Sequence, residues 1–593
     1  MKNIIITIAL YLITLLITGC EDFLDRPPLT LDNDETAWTS EQKVRLYANK
    51  FYPTFFVGYS TDVSVFTDDV VQRGNQGNFT RAVPNSAVWS MTTLRSINIM
   101  IDRVGNRMEN ILSAEAYNHW MGIGRFFRGL RYSELVFAYG DIPYYDHVVS
   151  DTDKDDLYKP RTPRNDVMDA VYDDLKFAFD NVRLNDGDQS VNKYIVAGYI
   201  SRIALYEGTW QKYYYKNNAQ AEKFLSFAIE AAEFVMNSGK YAIDTDFRTL
   251  FTSNNLKGNK ECVLYRHYDK AVNVTHTVAH YNNPLNSINY GGTTDLLKAF
   301  ICIDGKVWQN SAIDEAKDFR ISKLVKTRDS RFEGTFYDKP TVSAKGSFLF
   351  PIKFFPRYGV KQTEEQGTTP EELSGDSYTD APVLRYAEIL LNWIEAKAEW
   401  ATIGGTTVTQ ADLDNSVNRI RNRPLAPEAE AKGVQKTAAM QLDALPDDPD
   451  KDPTVSSLIW EIRRERRMEF IFENARLMDL KRWYKLEYMD TDTKPELLTG
   501  AWVNFPTEMS EQLTSTNAQK FSVTKADGSV VSYNGTNNAE MVGFYKDVIT
   551  NGRQPFLNQL NVNPYLSPVG KTQIDDYASK GYVLQQTEGW PQN

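Results

Sequence analysis

The sequence predicts a mostly α-helical protein, a helical-repeat scaffold with a loop-rich portion that carries a few short strands. Two observations predict this. Apolar residues recur at three- and four-residue spacing over most of residues 41–240 and again over 380–490, the period of amphipathic helices. Between those stretches, residues 241–379 lose the period and fill with Asn, Gly, Pro and Tyr, the composition of loops and turns.

The chain opens with Lys2 and an apolar run from Ile4 to Ile17, 14 residues long. A helix needs about 20 residues to span a bilayer, so the run fits a signal-peptide core, and residues 1–19 are expected to be removed. "ITGC" at 17–20 looks like a lipobox, which makes Cys20 the expected site of acylation and 20–40 a lipidated tether. Glu21, Asp22 and Asp25 resemble the acidic export signal of bacterial surface lipoproteins. More than one acyl chain makes a durable anchor, since each buried methylene contributes about 0.8 kcal/mol.

The helices follow in order. "SAVWSMTTLRSINIMIDRVGNRM" places Val88, Met91, Leu94, Ile97, Ile101 and Val104 on one stripe. "AEAYNHWMGIGRFFRGLRYSELVFAYGD" continues the pattern and stops at Gly140, with Pro143 beyond, common C-terminal punctuation. "RTPRNDVMDAVYDDLKFAFDNV" starts with Thr162 as N-cap and Pro163 in the first turn. "VNKYIVAGYISRIALYEGTWQKYYY" and "AEKFLSFAIEAAEFVMNSGKY" complete the region 41–240. Short helix pairs in series suit a repeat scaffold, although the tetratricopeptide consensus is only partly present. Residues 241–379 are expected to form a loop-rich insertion with a few strands. The scaffold resumes in "APVLRYAEILLNWIEAKAEW" and "SSLIWEIRRERRMEFIFENARLMDLKRWYKL", separated by an acidic loop at 425–455 that is expected to be solvated. From 491 to 593 the sequence is polar, Gly- and Asn-rich, and expected to be irregular.

Composition narrows the function. Length alone would suggest about four domains, although interlocked helical folds run longer. The net charge of −12 repels a phosphate backbone, so no nucleic acid is expected as a partner. Beyond Cys20 only Cys262 and Cys302 remain, too few for a disulfide framework. The chain is expected to be tethered to a membrane without crossing it.

Three stretches together resemble the SusD/RagB family of outer-membrane nutrient-binding lipoproteins: "FFRGLRYSELVFAYGDIPYYD", "PVLRYAEILLNWIEAKAEW" and "IRRERRMEFIFENARLMDLKRW". The lipobox, "DFLD" and the closing "NPYLSPVGKTQI" extend the likeness over the whole mature chain. Gly129, where the family usually has Ala, and the long acidic loop depart from it. The resemblance implies four tetratricopeptide-like units as scaffold, with a loop-rich ligand site. It also implies a place on the extracellular face of the outer membrane, over a SusC-like TonB-dependent transporter. The ligand it implies is oligosaccharide or, in the RagB branch, peptide.

Catalytic and metal motifs fare poorly. Gly122, Gly124 and Gly129 break the dinucleotide spacing and follow no strand, so they are expected to let helices approach closely. "GKT" at 570–572 lacks the upstream glycine of a P-loop. His276 and His280 in "HTVAH" share a helical face but lack the metalloprotease Glu. "DTDKDD" at 151–156 departs from a calcium-loop pattern at positions six and twelve. No cofactor is expected beyond a structural calcium ion that this flexible acidic loop could take up. Glu388, Glu395 and Glu399 share a face and could suggest a glycosidase acid/base pair. The neighbouring ladder of Glu461, Glu465, Glu469 and Glu473, interspersed with arginines, instead predicts a buried ion-pair network joining the two helices. The expected protein is therefore no enzyme, with a surface glycosidase as the lesser alternative.

Aromatics make 12% of the chain. A pyranose lays its C–H face on a ring and offers its hydroxyl edge to acids, amides or Arg, a combination of apolar platform and placed polar groups. Two loop segments have that make-up, "VFTDDVVQRGNQGN" and "HYNNPLNSINYGG". The candidate ligand residues are Asp68, Asp69, Arg73 and Trp89 from the first region, and Tyr281, Asn282, Tyr290 and Trp308 from the second.

Overall fold

The computed structural model describes residues 34, 37–60, 66–554, 557 and 559–592; the readings at Cys20 and its leader lie outside them. The fold is mostly α, 44% helix and 9% strand. Among the described residues, no helix is long and apolar enough to cross a membrane.

The N-terminal half is built from α1 (Glu41–Asn49), α2 (Thr92–Arg107), α3 (Ala114–Tyr139), α4 (Arg164–Asn181), α5 (Lys193–Trp210) and α6 (Asn218–Met236). The stripe expected on α2 is the buried one: Leu94, Ile97 and Val104 all face the core. Val88 and Met91 precede the helix. Ser113 caps α3 by accepting from the Ala116 amide at 3.1 Å, and Gly140 ends it at φ 75°, a conformation that needs no Cβ. α4 begins one residue later than the sequence suggested. Pro163 is extended at ψ 140° and acts as N-cap, and the Arg164 amide is met by Asp141 Oδ1 at 2.8 Å. The glycines of α3 do allow close packing. A Cβ on Gly124 would stand 2.7 Å from Ile101 Cγ1 of α2, and one on Gly122 2.9 Å from Val182 Cγ2.

Four short strands tie distant loops together. β1 (Val70–Gln72) pairs antiparallel with β3 (Tyr290–Gly292), and β2 (Cys262–Arg266) with β4 (Ala381–Arg385). Cys262 and Cys302 are buried free thiols. α7 (Thr294–Ala299) follows β3, and α8 (Tyr386–Ala401) follows β4 directly. α9 (Ser457–Glu469) and α10 (Arg476–Arg482) complete the scaffold. Beyond them, where an irregular region was expected, β5 (Trp502–Asn504), β6 (Phe521–Thr524), β7 (Val530–Ser532) and β8 (Val542–Asp547) form a four-stranded sheet in the order β5-β8-β6-β7. Three of these strands are only 3 or 4 residues long, too short to show a period in sequence.

Two loops also differ from expectation. "GSFLFPIKFFP", residues 346–356, is buried at every position, so it alternates with nothing. The acidic loop is not free in solvent. Asp448 accepts from Trp460 Nε1 at 2.6 Å and from Arg464, and Asp452 pairs with Lys485 at 2.7 Å. These partners on α9 and after α10 draw the loop onto the protein.

Candidate ligand-binding site

The site is framed by ionic side chains that the Glu/Arg ladder supplies. Four like charges spaced every fourth residue would weaken an isolated helix. Here Glu461 is met by Arg464 of its own helix at 3.0 Å, and the other three by cations from elsewhere. Glu465 accepts from Arg421 Nη2 at 2.6 Å and Arg331 Nη2 at 2.7 Å, and Glu469 from Arg385 at 2.7 Å and Arg423 at 2.8 Å. Burial alone would raise the Glu469 carboxyl, but Arg423, Arg385 and Arg331 together hold it well below the usual range. Glu473 lies past the end of α9 and takes Arg385 and the buried Lys353 ammonium, the latter at 2.6 Å. Burial lowers Lys353 to about 8.

Two arginines of α9, Arg463 and Arg466, point the other way. Arg466 reaches Glu395 of α8 at 3.1 Å and Arg463 reaches Glu399 at 3.3 Å. The predicted network between the two helices is present, and it engages the carboxylates that suggested an acid/base pair. Glu388 is likewise held, by Arg202 Nε at 2.6 Å.

One face of α9 opens into a cleft of about 700 Å³. Trp308, Trp460, Trp483 and Tyr488 line it. Trp308 and Trp460 are half-buried, the Trp308 ring with the Lys298 ammonium 5.6 Å from its centroid, while Trp483 is buried. The platforms are fixed in place. Trp308 meets Phe319 edge-on at 5.0 Å between centroids, Trp460 meets Tyr488 at 6.2 Å, and Trp483 Nε1 donates to Glu395 Oε1 at 2.7 Å. Arg463 lies over the Trp483 ring at 4.4 Å and Lys494 over Tyr488 at 4.9 Å, as cations do over aromatic faces.

Of the residues singled out in the sequence, Asp68 and Trp308 meet in this cleft. Asp68 is buried; Arg476 and Arg467 overcome the effect of burial and hold its carboxyl below the usual range. Asp69 turns away from solvent and accepts from Arg467 Nε at 2.6 Å; burial raises it. Arg73 and Tyr290 lie elsewhere, at the β1–β3 pair, and Tyr281 and Asn282 at the end of the short helix Val278–Tyr281. Gln72 stands opposite Tyr290 in the register, Arg73 pairs with Asp547 at 2.9 Å, and the Asn282 amide donates to the Val278 carbonyl at 3.1 Å. Tyr281 remains exposed, whereas the buried Tyr290 hydroxyl finds no partner among the described residues. Trp89 joins neither group; it packs edge-on against Tyr139 of α3 at 4.8 Å. Sequence reasoning missed Trp460, Arg463, Trp483, Tyr488 and Lys494. A signal existed for part of that set: Trp460, Arg463, Arg464 and Arg467 fall at i, i+3, i+4 and i+7, one face of a helix.

His276 and His280 do not form a pair. His276 Nδ1 accepts the Val278 amide at 3.3 Å and Nε2 donates to the Thr379 carbonyl at 2.9 Å. Burial lowers this ring to about 4.

The SusD family model matches residues 260–590, which include β2, β4, α8, α9, α10 and the whole ladder. The chain belongs to the SusD family. It is 25% identical over 518 residues to the SusD-like protein P2 of Formosa agariphila, covering 81% of this chain and 91% of that protein. A SusD-like protein of Bacteroides ovatus is 21% identical over 79% of this chain and 81% of its own length. In structure, a SusD-like carbohydrate binding protein from Bacteroides fragilis superposes with a TM-score of 0.61 at 18% identity, over 91% of this chain and 99% of that one. Surface glycan-binding protein A from Bacteroides fluxus gives 0.55 at 15% identity, over 93% and 100%.

This SusD-family fold holds a second cleft, of about 490 Å³, between α3, α5 and the turn joining α9 to α10. Its lining mixes Phe137, Tyr206 and Phe472 with Arg202, Glu388 and Arg466. The ring of Tyr206 stacks on Phe137 at 3.8 Å, so aromatic surface there faces other protein rings. The Trp308 cleft is lined by three indoles instead, two of them half-buried.

Proposed function

We propose that this protein is a lipid-anchored outer-membrane protein of the cell exterior, on a tetratricopeptide-like scaffold. It binds oligosaccharide in the Trp308–Trp460 cleft and passes it to a SusC-like TonB-dependent transporter. The observation that carries the reading is the pair of half-buried indoles lining a cleft that is also lined by fixed polar groups. Such rings take the C–H face of a pyranose while neighbouring donors and acceptors take its hydroxyls. Two structural relatives carry names that refer to carbohydrate or glycan binding, which supports the same ligand class here.

The mechanism is capture without cleavage. Glu388, Glu395 and Glu399 are each engaged by arginine or lysine partners, a structural use of these carboxylates. No cofactor enters the proposed mechanism. Affinity is modest, because a flexible oligosaccharide loses conformational freedom on binding.

Affinity electrophoresis of the purified mature protein against a panel of polysaccharides, beside a peptide library, tests the reading. Retardation in at least one glycan and none by peptides is expected. Peptide binding alone, or release of new reducing ends from any polysaccharide, would overturn it.

A further inference from the structure

The charges around the cleft are not evenly satisfied. Asp68 is held by Arg476, Asp295 by Arg467, Asp448 by Arg464 and Glu496 by Lys298. Asp450 accepts from Gln309 Nε2 at 2.9 Å. Each lining carboxylate therefore has a donor. Two of the lining cations are different. The Lys494 ammonium makes no ion pair or side-chain hydrogen bond among the described residues; it lies over the Tyr488 ring, and its charge reaches Asp68 only at longer range. Arg463 shares Glu399 with Lys212 and Tyr213, so one carboxylate answers two cations. Its Nε and Nη1 are buried and have no acceptor among the described residues. A buried donor left without an acceptor is costly, and a buried charge without full compensation more so.

We propose that the cleft recognises an anionic glycan, through an oxyanion substituent, carboxylate or sulfate ester, received between Lys494 and Arg463 while a neighbouring sugar ring lies on Trp308 or Trp460. This rests on the glycan-binding reading and narrows it. An oxyanion supplies the acceptors that these two cations lack, and charge-assisted bonds of this kind are about twice as strong as neutral ones. The same imbalance argues against a basic peptide, whose cations would meet unanswered positive charge and carboxylates already engaged.

The test is isothermal titration of the full mature chain with three oligosaccharide sets of equal length. Polygalacturonate fragments carry carboxylates, κ-carrageenan fragments carry sulfate esters, and xyloglucan fragments are neutral. The expected result is binding to at least one acidic set at least about tenfold tighter than to the neutral one. Raised salt should weaken it, and Lys494→Ala should lower it about tenfold. Lys494 is partly exposed and only stacks on Tyr488, so the variant tests binding without threatening the fold. Equal or tighter binding of xyloglucan, or acidic binding unchanged by Lys494→Ala, overturns the inference and leaves glycan binding standing. Binding of none of the three sets beside capture of an acidic peptide overturns both.

Discussion

Arg466 of α9 stands 3.1 Å from Glu395 of α8, and Glu395 is also gripped by Arg482 of α10 at 2.6 Å. One buried carboxylate thus locks three helices, and it also accepts the indole N–H of Trp483 at 2.7 Å. Scaffold and cleft share this group, so the ion-pair core sets the position of the cleft wall.

Removing one member of a buried ionic cluster leaves its partners uncompensated, which costs about 3–5 kcal/mol. Glu469→Gln would leave Arg385, Arg423 and Arg331 with one neutral acceptor in place of a shared carboxylate. Its expected loss is of that order in a chemical denaturation experiment, with Arg466→Gln similar. Unchanged thermal stability in either variant would mean the network carries no weight.

Gly124→Ala places a methyl group 2.7 Å from Ile101 Cγ1. Overpacking of this kind costs about 1–3 kcal/mol, so the midpoint of unfolding is expected to fall. The double change Gly124→Ala with Ile101→Ala should recover part of that loss, because it removes the Cγ1 atom that is met.

His276 makes stability depend on pH in a definite direction. Its folded value, about 4, lies below the ordinary 6.5, so the unfolded chain binds the extra proton first. The stability it contributes is complete above pH 6.5 and disappears as pH falls toward 4. At pH 5 the wild type should have lost about 2 kcal/mol more, relative to pH 7, than His276→Gln. Parallel urea titrations at the two pH values check this. A larger loss in the variant would reverse the sign and refute the assignment.

Cys20 lies outside the described residues, and its acylation is tested directly. The native protein is expected to partition with membranes and to yield an acylated N-terminal peptide in mass spectrometry, while Cys20→Ser is expected in the soluble fraction.

The sequence carried the scaffold well because amphipathic helices announce themselves by period. α2, α3, α4, α5 and α6 show it, and α3, α5 and α6 begin at residues whose side chains cap them, Ser113, Asn192 and Asn217. The buried ionic network was also legible, since four glutamates every fourth residue require counter-charges. What stayed hidden was written in distant pairings. Residues 346–356 have no exposed side to set a pattern, and the β5–β8 sheet is assembled from segments of 3 to 6 residues. The site was half legible for the same reason. Trp308 and Asp68 were picked out by composition, yet the cleft they share is closed by Trp460, Trp483 and Lys494 from elements far along the chain. Composition cannot report that Asp69 turns inward to Arg467, or that Trp89 faces Tyr139.

The central claim is that Trp308 and its neighbours hold a glycan that the protein does not cut. Its most direct measurement is the dissociation constant for the best-bound oligosaccharide in wild type and in Trp308→Ala, with reducing ends monitored in the same samples. Loss of one stacking platform should weaken binding about 10- to 100-fold, with no new ends. Equal affinity in the two proteins, or sugar released over time, would contradict the account.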